Sequence, residues 1–256
     1  MLIDTHVHAD GMSIDELKQM VDSGVTHAIT CAYYPIVPQY PQTLIDLYHK
    51  LIKFDVVRAQ DLGLKLYVAI GIHPRSIPEK GYDKAIDAMK SLSENDFVVA
   101  YGEVGLEKAR TKELRVLEKQ AELANEYDIP LIVHTPREKK LEITKKTLSL
   151  LNKSKISTNL VVIDHVTPET IPLVHDAGYG IGLTIQHGKL DVDTAANLIV
   201  NYEDDLIVLN SDSGFRKSDT TTVSKVLREL KENGANQSLI EKVAFKNAIR
   251  IFYKIR

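Results

Sequence analysis

Leu2-Ile3-Asp4-Thr5-His6-Val7-His8 opens the chain as an apolar run ending in two histidines one residue apart. Such a run reads as a buried strand with a polar C-terminal end. Side chains on a strand alternate between its faces, so His6 and His8 share one side, roughly 7 Å apart along the strand. Two imidazoles so placed can grip one divalent ion. The same grammar recurs along the chain. Short β-branched runs are expected as strands at 2–8, 27–33, 65–72, 98–103, 130–135, 160–165, 179–185 and 206–212.

Amphipathic stretches lie between these runs. Ser13-Ile14-Asp15-Glu16 has the spacing of a capping box and opens a helix that stops at Gly24. A long helix is expected over 43–62, ended by Gly63, and others over 112–127, 138–151, 168–177, 193–202, 220–231 and 237–252. Eight strands alternating with helices, in a chain of 256 residues, give the count and length of a (β/α)8 TIM barrel. A doubly wound open sheet would want a Gly-rich phosphate loop after its first strand, and none is present. No linker or low-complexity segment divides the chain, so 1–256 is read as one domain. The longest irregular piece, 33–41, holds three prolines and follows strand two on the face where barrel active sites form.

Composition removes several classes of function. A net charge of −3 offers no broad basic surface for duplex nucleic acid. One cysteine, Cys31, allows neither a disulfide framework nor a cysteine-based metal site. No basic n-region with an apolar run is visible at the start, and no stretch of about 18 apolar residues occurs. A cytoplasmic protein with no membrane association and no evident protein partner is the expectation.

The remaining ionisable residues fall at strand ends. Strand four ends in Gly102-Glu103-Val104-Gly105-Leu106-Glu107, strand five in Ile132-Val133-His134-Thr135-Pro136-Arg137, strand six in Val162-Ile163-Asp164-His165, and strand eight in Asn210-Ser211-Asp212-Ser213-Gly214. The C-terminal ends of barrel strands converge on one mouth, so His6, His8, Glu103, His134, His165 and Asp212 would surround one point. Four imidazoles and two carboxylates exceed one tetrahedral ion and suit two, with Glu103 as the natural bridge. The metal could be zinc, manganese, magnesium, nickel or iron.

These motifs resemble the TatD family of metal-dependent hydrolases, in the amidohydrolase superfamily. The likeness lies in Asp-Thr-His-x-His, Gly-Glu-x-Gly-Leu, the histidines of strands five and six, the strand-eight aspartate and Gly71-Ile72-His73-Pro74, in order along the chain. Ile132 to Arg137, Ile163-Asp164-His165 and Leu209-Asn210-Ser211 resemble a TatD-related branch of archaea and some bacteria. The surroundings depart from typical TatD nucleases, which have a His-Cys-Phe-Ser-Gly-like strand six, Glu-Thr-Asp at strand eight, and aspartate where Glu107 stands. The resemblance implies one metal on His6, His8 and Asp212, a second on His134 and His165, and Glu103 between them. It implies a metal-activated water, oriented and deprotonated by Asp212, and a phosphodiester substrate such as single-stranded DNA or a small molecule. Hydrolysis of a cyclic amide or lactone, and a metal-binding barrel without catalysis, are the alternatives.

Other residues carry either of two expectations. His73 contacts substrate phosphate or caps a helix; Arg137 clamps an anion or lies on the surface. His187 and Lys189 follow strand seven and could reach substrate. Asp4 lies one layer below His6 and His8 and could support them. Asp164 is out of phase with His165 and is expected to face the helix layer. Tyr33 and Tyr34 border the mouth and could stack on a base or sugar.

Overall fold

In a computed structural model, described over residues 1–203, 205–216 and 218–255, all eight expected strands form. They are β1 (Ile3–Val7), β2 (His27–Cys31), β3 (Lys65–Ile70), β4 (Val98–Gly105), β5 (Leu131–His134), β6 (Val161–Ile163), β7 (Gly180–Thr184) and β8 (Ile207–Asn210). Each pairs in parallel with its sequence neighbour, in the order β1 to β8. A parallel bridge between Val7 and Ser213 joins the two ends of the sheet. There the Asp212 amide donates to the His6 carbonyl at 2.9 Å and the His8 amide to the Ser213 carbonyl at 2.7 Å. The result is a (β/α)8 barrel.

The strands are near-continuous apolar runs because both faces are covered, one by helices and one by the barrel interior. Ile3, Ile29, Val99, Ile132, Val162 and Val208 belong to one interior cluster. Phe252 and Ile255 from the C-terminal segment join that cluster. Asn247 donates to the Ile207 carbonyl, and Lys254 to those of Ser93 and Val98, so this segment closes the end where the strands begin. The opposite end carries the polar strand termini.

Three helical details differ from expectation. The segment expected as one helix over 43–62 comprises Gln42–Lys50, a π turn at Leu51–Asp55 and Val56–Gln60. The π turn holds Asp55, fully buried, between Lys50 Nζ at 2.6 Å and Arg58 Nη2 at 2.9 Å. The last helix is likewise interrupted by a π turn, at Lys242–Lys246. A helix at Asp83–Leu92, between β3 and β4, was not expected; it buries Ala85 and Met89 and packs Ile86 and Leu92 against the core, a helical spacing the sequence does carry.

Candidate metal centre

The strand ends bring His6, His8, Glu103, His134, His165 and Asp212 together at the open mouth. β1 delivers His6 and His8 with their Nε2 atoms 3.3 Å apart. β4 delivers Glu103, which is 3% exposed. β5 ends on His134. His165 and Asp212 follow β6 and β8 in left-handed backbone, at φ 58° and 48°. Such conformations cost a non-glycine residue about 1 kcal/mol or more and persist only when their surroundings hold them. Lys140 Nζ donates to the His165 carbonyl at 2.8 Å, and Gln186 Nε2 to that of Asp212 at 2.6 Å.

Hydrogen bonds orient each histidine ring. His6 Nδ1 donates to Asp164 Oδ2 at 2.5 Å, and His8 Nδ1 to the Cys31 carbonyl at 2.9 Å. His165 Nδ1 lies 2.7 Å from Thr184 Oγ1 and 3.0 Å from Lys189 Nζ, and the Thr184 hydroxyl donates to Asp164 Oδ1 at 3.3 Å. His134 meets a carboxylate at each ring nitrogen, Glu107 Oε2 at 2.9 Å from Nε2 and Glu103 Oε1 at 2.6 Å from Nδ1. A neutral imidazole has one N–H; in the form that binds a metal, with the proton on the outer nitrogen, His6, His8 and His165 would present Nε2 lone pairs and His134 its Nδ1 lone pair.

Those lone pairs face carboxylate oxygens. His134 Nδ1 and His165 Nε2 lie 2.6 and 3.0 Å from Glu103 Oε1. His6 Nε2 and His8 Nε2 lie 3.6 and 3.8 Å from Glu103 Oε2, and 3.8 and 3.1 Å from Asp212 Oδ1. A cation among them, a proton or a metal ion, lets these nitrogens and carboxylate oxygens approach so closely. Buried imidazole nitrogens and carboxylate oxygens are the donor set that divalent transition ions take. The residues present therefore fit a metal.

Electrostatics favour the ligating forms of Glu103, Asp212 and His165; His6 and His134 are instead raised above the ordinary imidazole value despite burial, by neighbouring groups that include Glu103, and a metal would displace their protons. Burial would raise Glu103, but the charges of His134 and His6 outweigh it and hold the carboxyl well below its ordinary range. Asp212 is likewise held well below despite burial, mainly by the Lys189 ammonium, whose Nζ is 2.5 Å from Oδ2. Burial and the Lys189 charge push His165 down to about 4, leaving it neutral as a ligand must be. Burial also holds His73 well below the usual imidazole value.

Several residues stand elsewhere than the sequence suggested. Asp164 does not face the helix layer; it is 1% exposed and lies under His6 and His165. Strand alternation predicts its direction only while the strand lasts, and β6 ends at Ile163. Asp4 supports backbone rather than rings: it accepts the amides of His6 and Ser211 and the Ser211 hydroxyl, tying β1 to β8. His187 is exposed, and Gln186, Gly188 and Lys189 of the same turn line the mouth instead. Arg137 lines it too and donates to Gln186 Oε1 at 3.3 Å. Tyr33 is at the mouth, whereas Tyr34 packs against the core. Glu107, Lys140, Gln186 and Phe215 were not singled out. Only Glu107 carried a signal, its place in the strand-four motif.

The mouth opens into a cavity of about 920 Å³ whose wall includes Arg75, Lys108, Arg137, Lys140, Lys189 and Arg216. These basic residues follow five different strands and share the wall with Glu103, Glu107, Glu138, Glu169 and Asp212; burial lowers Lys140 to about 7.

Residues 3–253 match the TatD related DNase family. The chain belongs to the TatD family. An uncharacterized metal-dependent hydrolase of Methanocaldococcus jannaschii is 35% identical over 255 residues, covering 99% of this chain and all of that one. The crystal structure of a TatD-like protein from Archaeoglobus fulgidus matches with a TM-score of 0.85 at 35% identity, over 98% of this chain and 99% of that chain. A phosphotriesterase homology protein of Escherichia coli shares the fold, with a TM-score of 0.73 at 13% identity over 98% of both chains. This chain is thus a TatD-family metal-dependent hydrolase.

Gly182 on β7 tests how closely the support beneath the centre is packed. A Cβ there would lie 2.2 Å from Asp164 Oδ1 and 3.0 Å from Asp164 Cα. Gly182→Ala should push Asp164 away from His6, weaken metal binding and destabilise the fold by about 1–3 kcal/mol. Urea unfolding and metal titration of the variant check both parts; wild-type values would contradict the packing described.

Proposed function

We propose that this chain is a phosphodiesterase that uses two divalent ions and acts on single-stranded DNA or a small phosphodiester. The observation that carries the proposal is the division of lone pairs about Glu103: His134 and His165 face Oε1, while His6 and His8 face Oε2. One ion would be held by His6, His8 and Asp212, the other by His134 and His165, with Glu103 shared. Such ions supply Lewis acidity and lower the pKa of a bound water from 15.7 towards about 7.

The protein's own groups do the rest. Asp212 is ionised and at the mouth, where it can orient the attacking water and take its proton. Lys189 fixes the Asp212 carboxylate through Oδ2 and leaves Oδ1 towards the histidines. Arg75 and Arg137 in the wall of the same cavity suit an anionic substrate better than a neutral lactone or cyclic amide. Tyr33 and Phe215, with ring centroids 5.4 Å apart, offer aromatic faces on which a base or sugar can rest.

The test is a metal-reconstituted screen across single-stranded DNA, bis(4-nitrophenyl) phosphate, 4-nitrophenyl phosphate and simple lactones. Phosphodiester turnover should exceed the rest and vanish in His6→Ala. Lactone turnover above phosphodiester turnover would overturn the proposal. Metal removal also has a thermal signature. Ligands that bind only the folded chain stabilise it by about 4 kcal/mol at a thousand times Kd. Chelation should therefore lower the melting temperature by on the order of 10 °C, and a metal-independent midpoint would contradict the ligand set.

A further inference from the structure

His73 lies just past β3, is 1% exposed, and belongs by distance to a chelating group with Glu103 and His134. Its hydrogen bonds say otherwise. The Arg75 amide donates to His73 Nδ1 at 3.0 Å. A backbone N–H can only donate, so Nδ1 keeps its lone pair and the single ring proton is on Nε2. A nitrogen that carries its proton has no lone pair for a metal. This is the reverse of His6 and His8, where a carboxylate and a carbonyl take the Nδ1 proton and leave Nε2 bare.

The His73 Nε2–H has no hydrogen-bond partner among the described residues. Glu103 Oε2, at 3.6 Å, is too far. The ring is held edge-on by Tyr33 and His134, with centroids 4.8 and 4.6 Å away, so the donor is fixed in direction. A buried donor left unmade in a protein is uncommon and calls for a reason. We propose that His73 is a catalytic hydrogen-bond donor, not a metal ligand, and that its Nε2–H is kept for an anionic oxygen of the substrate beside Glu103. On the proposed phosphodiesterase reading, that atom is a non-bridging phosphoryl oxygen, and the proposal rests on that reading for the identity of the anion. The donor is set before substrate arrives, 3.6 Å from Glu103 Oε2, and would meet the negative charge that gathers there in the transition state. It gives a hydrogen bond and transfers no proton.

The test compares His73→Phe, which keeps a planar ring without the donor, with His73→Gln, whose amide restores an N–H near the Nε2 position. Both variants should retain the wild-type number of metal equivalents after dialysis. Inorganic phosphate should bind the manganese-loaded His73→Phe protein about tenfold more weakly than wild type, and His73→Gln should recover most of that loss. Proton–nitrogen spectra of the metal-free wild-type protein should place the His73 proton on Nε2. Loss of a metal equivalent in both variants, a proton on Nδ1, or unchanged phosphate affinity in His73→Phe would overturn the assignment. Failure of the phosphodiesterase reading would show separately, as turnover of a different ester, while the metal count and ring-proton measurements still decide whether His73 is a donor or a ligand. If His73→Phe fails to fold, His73→Gln and the wild-type spectra decide the same point.

Discussion

Glu103→Ala is expected to abolish hydrolysis and strip the protein of its metal. Both Glu103 oxygens are faced by imidazole lone pairs, Oε1 at 2.6 and 3.0 Å and Oε2 at 3.6 and 3.8 Å. Removing the carboxylate leaves four histidines crowded together, with Asp212 as the remaining anion among the six residues. Metal-ion catalysis supplies several kcal/mol of transition-state stabilisation. The fall in kcat/KM should therefore reach at least about a thousandfold. Glu103→Gln keeps the shape and one carbonyl oxygen, so it should retain part of the metal while losing most of the rate. Elemental analysis and turnover of bis(4-nitrophenyl) phosphate check both variants. Wild-type metal content together with wild-type turnover in Glu103→Ala would sink the mechanism.

Asp164→Asn should produce the second-largest effect, although Asp164 is not expected to touch the metal. Its two oxygens accept from His6 Nδ1, the His165 amide, Thr184 Oγ1 and Asn210 Nδ2. An asparagine has one acceptor oxygen and adds an NH2, so a donor must then face a donor. His6 loses the partner that fixes its tautomer, and residues that orient metal-bound histidines are commonly worth 10–100-fold in affinity or activity. The buried mismatch adds about 1–3 kcal/mol of destabilisation. Calorimetric metal titration and chemical unfolding separate the two effects. A stability loss with unchanged metal affinity would show that Asp164 serves the fold alone.

Much of this architecture was legible from residue order. β-branched runs with polar ends at regular spacing indicated the eight strands, and convergence of barrel strand ends placed His6, Glu103, His134 and Asp212 at one mouth. What could not be read depended on departures from regular geometry. Asp164 was assigned outward by alternation, but β6 stops one residue before it and His165 turns into left-handed backbone. Of the basic residues in the wall, Arg137 and Lys189 are legible as candidate substrate contacts, while Lys108, Lys140 and Arg216 gave no signal because they lie far apart in the chain and meet only when the barrel closes. The helix at Asp83–Leu92 was legible too, in the helical spacing of Ala85, Ile86, Met89 and Leu92, and went unread. The buried Asp55 in its π turn could not be anticipated either; a charge within a helical pattern reads as solvated until Lys50 and Arg58 are seen to enclose it.

The division of lone pairs about Glu103 is the centre of the account, and a metal titration reads it directly. Metal-free protein would be titrated with manganese while bis(4-nitrophenyl) phosphate turnover is followed. Turnover should rise from nothing and level off at two equivalents per chain. Turnover without metal, or a plateau at one equivalent, would contradict the two-ion centre.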